Sequence, residues 1–189
     1  MIHPDTTLAA LGDPLGIALV ATQPMPKGTV VWAQDELDRV LPAAQVERLP
    51  ALFAQLRIRF AYRDTQGDYR LPWDDTRFMN HSCEPNCVVT AFGFEIAVRD
   101  IAAREPLTND YASLHLEDDE RIECACGAPR CRGSVTSRDF APLSHEWYAS
   151  VRDALSHAAS VPQPLRPLLA AGAWDAALAY YDVMPRGDG

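Results

Sequence analysis

The 189-residue chain predicts a mostly β fold of several small sheets with α-helical additions at its C-terminal end. Two observations predict it. Between residues 16 and 111, short runs rich in Val, Ile, Phe and Tyr alternate with turns containing Gly and Pro, as strands do and long helices do not. After Gly133 the character changes, and Ala, Leu and Trp recur at helical spacing.

The first predicted element is a hairpin, with Ile17, Leu19 and Val20 facing Val30, Val31 and Trp32 around a turn at 24–28. Val46, Leu49, Leu52, Phe53 and Leu56 then predict a helix over 42–56 that Pro50 divides or kinks. A second hairpin joins an alternating strand at 58–62 to 69–71 through a turn at 64–67. A third joins 88–92 to 94–98 about Gly93, and 106–111 follows as a short extended segment. Helices are expected at 144–158, 165–171 and 173–181, with Pro162 and Pro164 separating the first two, and the 186–189 tail is expected to fray.

Composition excludes several classes. A hydrophobic content of 48% supports one sizeable core, and a net charge of −9 argues against direct nucleic-acid binding and for a basic protein or peptide partner. No apolar run reaches the roughly 18 residues of a membrane span, and Asp5 and Asp13 stand where a signal peptide carries Lys or Arg. The expectation is therefore no signal peptide, no membrane segment and, for a bacterial protein, a cytoplasmic location. Five cysteines fit a four-thiolate metal site plus one spare better than a disulfide framework, with Cys87 as a small buried apolar residue.

Two stretches carry chemistry. Residues 77–87 read RFMNHSCEPNC, and residues 124–131 read CACGAPRC. Cys124, Cys126 and Cys131 can wrap one soft ion, but a closed zinc site needs a fourth ligand from elsewhere. Asn80 and His81 by themselves suit equally an Asx turn and a satisfied core histidine. A lone Tyr111 is as readily a half-buried packing residue.

The first stretch resembles the RFxNHSCxPN signature of SET-domain protein-lysine methyltransferases, and the second resembles the family's post-SET CxCxxxxC tail. Residues 97–111 are similar to the pattern ALRDIxxGEELTYDY, which places Tyr111 on the catalytic tyrosine. Gly16, Ile17 and Ala18 resemble the GxGxFAT cofactor strand, and 26–30 resembles the IPKGTVI segment after it. The resemblance implies a β-clip fold with a knot-like threaded core. It implies an S-adenosylmethionine site at Gly16, Ile17, Ala18, Arg77, Phe78, Asn80 and His81, and a zinc held by Cys83, Cys124, Cys126 and Cys131.

It further implies methylation of a lysine amine in a basic substrate such as a histone-like, nucleoid or ribosomal protein. Tyr62 and Asn109 would line the substrate channel. The matching divisions are a SET domain at 1–122, a post-SET segment at 123–133 and a helical extension at 134–189, in a compact stand-alone form that looks bacterial. The extension is expected to cover the peptide groove or to form a homodimer. Three positions depart from the pattern: Ala18 for the second glycine of GxG, Arg104 for a turn glycine, and Asn109 for Phe or Tyr. These departures leave a second class open, a zinc-stabilised module that binds lysine peptides or the cofactor without turnover.

Overall fold

The computed structural model describes residues 1–13, 15–50, 60–64, 66–114, 116–117 and 120–184. Strand β1 (Thr6–Gly12) forms an antiparallel hairpin with β2 (Gly16–Ala21), closed by Gly12 and Gly16 at φ values of 78° and 66° that favour glycine. The expected pairing of β2 with β3 (Val30–Ala33) does not form. Pro24 and Pro26 cannot donate to a hairpin ladder, and the segment between the strands is tied elsewhere. Met25 bridges Ile101, and the Gly28 N–H donates to Ala97 O at 2.8 Å.

Strand β4 (Arg39–Leu41) joins a three-stranded sheet in the order β4-β6-β5, whose β5 (Tyr62–Arg63) and β6 (Tyr69–Leu71) realise the second predicted hairpin in shortened form. The helix expected over 42–56 is a single turn, α1 (Ala43–Val46); residues 51–59, and with them the rest of that helix and the start of the 58–62 strand, lie outside the described residues. Strand β7 (Asn80–His81) precedes the third hairpin, which forms as β8 (Cys87–Val89) and β9 (Phe94–Ala97), with Gly93 at φ 76° in its turn. β3 adds to its other edge, giving the order β3-β9-β8.

Both faces of this sheet are buried, which explains its nearly unbroken apolar runs. Val30, Val88, Phe94 and Ile96 pack with Trp147, Val151, Ala154 and Leu155 of α2 (Phe140–His157) and with Ala177 and Tyr181 of α3 (Ala173–Val183). On the opposite side, Val31, Cys87 and Ala97 join Leu19, Met25, Met79, Ile101 and Leu107. Gly28 marks where α2 docks: at φ 92°, a Cβ there would stand 2.8 Å from Ala154 O and 2.9 Å from Ala158 N. The Gln163 side chain fixes the contact by donating to Gly28 O at 2.6 Å and accepting from Val30 N at 3.0 Å. The helix expected over 165–171 is only a 3-10 turn at Arg166–Leu168, because Pro167 supplies no N–H, and the 186–189 tail lies outside the described residues.

Two short ladders complete the fold. β7 runs parallel to β10 (Thr108–Asn109), and β11 (Arg121–Glu123) pairs antiparallel with β12 (Ser134–Thr136) around the cysteine-rich loop. No helix among the described residues is long and apolar enough to cross a membrane.

Candidate functional site

The two-residue ladder of β7 and β10 brings together segments about thirty positions apart, pairing Asn80 with Thr108 and His81 with Asn109. Such a short ladder needs support, and Asn86 supplies it. Its Oδ1 accepts from Thr108 N at 2.7 Å, while Nδ2 donates to Pro106 O at 2.8 Å and to Glu105 Oε1 at 3.2 Å. Asn80 makes no local turn: its Nδ2 reaches Ile17 O at 3.1 Å and Leu15 O at 3.3 Å, which pins the start of β2. Gly16, Ile17 and Ala18 therefore lie beside Asn80 as one patch, and the space above Gly16 Cα is open.

Tyr111 joins this patch to a cleft. Its N–H donates to His81 Nδ1 at 3.1 Å, and the two rings stand 5.4 Å apart. Its hydroxyl donates to Met79 O at 2.9 Å and lines a cleft of about 100 Å³ together with Trp32, Tyr62, Met79, Glu95 and Asn109. Burial, with the Glu95 charge behind it, pushes the Tyr111 phenol up to about 12, so it keeps its proton at neutral pH. Burial raises Tyr62 as well, whose ring meets Trp32 edge-on at 6.2 Å. Arg77 also lines this cleft, with its guanidinium over the Phe78 ring at 5.4 Å. Asn80, His81 and the Gly16 patch lie outside the cleft wall.

Sequence reading passed over Glu95. It sits in β9 between fully buried Phe94 and Ile96 and is itself 5% exposed, while its Oε1 accepts from Nδ2 of Asn109. Burial pushes its carboxyl up to about 7. The available signal was a lone acid in an apolar strand run. Asn109 is 2% exposed and fully engaged, because its Oδ1 also accepts from Ser113 Oγ at 3.2 Å.

The cysteines gather at the far side of β7. Cys124 Sγ lies 3.7 Å from Cys83 Sγ and 3.6 Å from Cys131 Sγ, and the Cys83 N–H points at Cys126 Sγ from 3.5 Å. A tetrahedron with metal–sulfur arms of ~2.3 Å has edges of ~3.8 Å, so these spacings suit one zinc. The side chains of His81, Cys83, Cys124 and Cys126 also bring their ligand atoms within 4.8 Å of one another. Cys131, close to Cys124, and His81 are the two candidates for the fourth ligand. The His81 ring takes the Tyr111 N–H at Nδ1 and sets Nε2 3.3 Å from Cys83 Sγ. Burial opposes the Cys126 thiolate most, but backbone N–H bonds from Cys83 and Ala128 and thiol bonds from Cys124 and Cys131 together outweigh it and bring the group down to about 7. Cys87 is apart from this group and fully buried.

Arg132 was also missed. It donates twice to the Asp110 carboxylate at 2.7 Å, and its N–H points at Cys83 Sγ from 3.4 Å, so the cysteine loop is fastened to the residue before Tyr111.

Comparison with known proteins identifies the family and the fold. The profile of the family described as SET domain matches residues 16–112, just over half of the chain. A "Histone-lysine N-methyltransferase, H3 lysine-4 specific" of Saccharomyces cerevisiae is 46% identical over 65 residues, which cover 30% of this chain and 6% of that protein. "Histone-lysine N-methyltransferase ASHR3" of Arabidopsis thaliana is 36% identical over 99 residues, covering 48% of this chain and 20% of that one. The chain thus spans a small part of the length of these relatives. Among solved structures, the methyltransferase domain of human histone-lysine N-methyltransferase SETMAR superposes with a TM-score of 0.50 at 22% identity, covering 70% of this chain and 57% of that one, a likeness of fold.

Proposed function

The chain belongs to the SET-domain family, and on that premise we propose that it transfers a methyl group from S-adenosylmethionine to the side-chain amine of a lysine in a basic protein. One observation carries the reading: the Tyr111 hydroxyl stands in a narrow cleft with its hydrogen committed to Met79 O, while its own backbone rests on His81. When bound, S-adenosylmethionine supplies an electrophilic methyl group on a cationic sulfur. Gly16, Ile17, Ala18, Asn80 and His81 would hold it on the patch that Asn80 organises, with Arg77 and Phe78 at its margin.

The amine must reach that methyl without its proton. Neutralising a lysine of reference pKa near 10.4 at pH 7 costs about 4.6 kcal/mol, and desolvation between Trp32, Tyr62, Met79 and Tyr111 offsets part of it. Tyr111 stays protonated, so it is no base. With its hydrogen given to Met79 O, its oxygen keeps lone pairs that can accept an N–H bond from the amine and align the nitrogen for in-line attack. Zinc on Cys83, Cys124, Cys126 and Cys131 would order the loop that carries Arg132, and so brace Asp110 beneath Tyr111. The net charge of −9 suits a basic substrate, histone-like, nucleoid or ribosomal, and the names of the relatives point to the first of these.

The test is transfer of labelled methyl from S-adenosylmethionine to purified core histones and to a basic protein fraction. Tyr111→Phe should lower transfer by about 10²-fold and leave calorimetric cofactor binding intact. A metal assay should return one zinc per chain. Cofactor binding by the native protein without transfer to any lysine would instead identify a non-catalytic binding module.

A further inference from the structure

Glu95 is out of place in a structural role. Its strand neighbours are apolar, and its Oε2 is buried with no hydrogen-bond partner among the described residues. A buried carboxylate oxygen left unpaired is unfavourable unless something arrives to meet it. Glu95 lines the cleft that holds Tyr111.

We propose that Glu95 is the proton acceptor for the lysine ammonium that enters this cleft, an assignment that rests on the methyl-transfer reading above. The Nζ–H bond breaks, its electron pair stays on nitrogen, and the proton forms an O–H bond at Oε2. Ammonium and carboxylate become neutral amine and neutral acid, which removes two opposite charges from an apolar space at once. After the methylated ammonium leaves, Glu95 returns the proton to solvent.

Asn109 is then the positioning residue. Where the family pattern has an aromatic ring, its amide instead holds Oε1 and leaves Oε2 free. The titratable groups facing Glu95 are Asp74, Tyr62, Tyr111 and Cys87, and Arg63, Arg77 and Glu120 stand on the cleft lining. Burial and the Asp74 charge raise Glu95 and the Asn109 bond lowers it, leaving it near 7, where it exchanges a proton readily.

The experiment compares native protein with Glu95→Gln, which retains volume and an acceptor for Asn109, in methyl transfer to purified core histones from pH 6 to 10. Native kcat/KM should rise tenfold per pH unit below about 7 and then level off. Glu95→Gln should be slower by about 10²-fold at pH 7 and climb steadily toward pH 10 as solution supplies neutral amine. Glu95→Asp should keep the native profile shape at reduced rate, which a loss of folding would not produce. If Glu95→Gln matches the native rate and profile within threefold, the proposal is wrong while methyl transfer stands. If the native protein methylates no lysine, the methyl-transfer reading fails and takes this assignment with it.

Discussion

The cysteine loop and the Tyr111 cleft meet across Asp110 and Tyr111, yet opposite forces hold them. The loop has little apolar surface to bury: Cys131 is exposed, Cys124 and Cys126 are half-buried, and Arg130 reaches half-buried Glu84 and exposed Glu146. Thiols and ion pairs order it. The cleft is walled by the sheet core, with Trp32 and Met79 buried, and Asn109 holds Glu95 within it. Segments that cannot build a core are ordered by ligands and charge, whereas a site made in a core tolerates charge only where chemistry uses it.

Arg132→Ala breaks the joint between the two regions and should have the largest effect. It strips both 2.7 Å bonds from Asp110, which is 1% exposed, and leaves the buried carboxylate with the Ala112 N–H but without its guanidinium. Denaturant unfolding should show a loss of about 3 kcal/mol. A change below about 1 kcal/mol would mean that the thiol cluster alone holds the loop.

Glu95→Gln probes the cleft side through pH. The carboxyl is raised from 4.5 to about 7 in the folded protein, so the stability it contributes is complete below about 4.5 and lost as pH rises through about 7. The variant lacks that loss. Its melting free energy should equal that of the native protein at pH 4 and exceed it by up to about 3 kcal/mol at pH 8. A constant difference across this range would mean that Glu95 does not titrate there.

The smallest effect belongs to neither region. Arg104, at the turn position where the family pattern has glycine, adopts φ 68°. Arg104→Gly should relieve that strain and stabilise the protein by about 1 kcal/mol with methyl transfer unchanged. No gain in thermal melting would show that the turn is unstrained.

Local signals were legible from the chain alone. The β8–β9 hairpin needs one glycine turn between two apolar runs, and α2 and α3 follow from side-chain periodicity, because both depend on neighbours within a few residues. The thiols and the Asn80, His81 and Tyr111 positions were legible for another reason: their residue types recur at spacings that match a known pattern. The β1–β2 pairing, the parallel β7–β10 ladder and the Arg132–Asp110 fork were not. Each joins groups whose mutual preference appears only once a register places them together, and an arginine or a short apolar run has many equally good partners along a chain. Glu95 is the sharpest case. As a letter in β9 it is an ordinary strand residue, and only the packing of β3, β8 and β10 around it turns it into a buried acid on the cleft lining with one oxygen unpartnered.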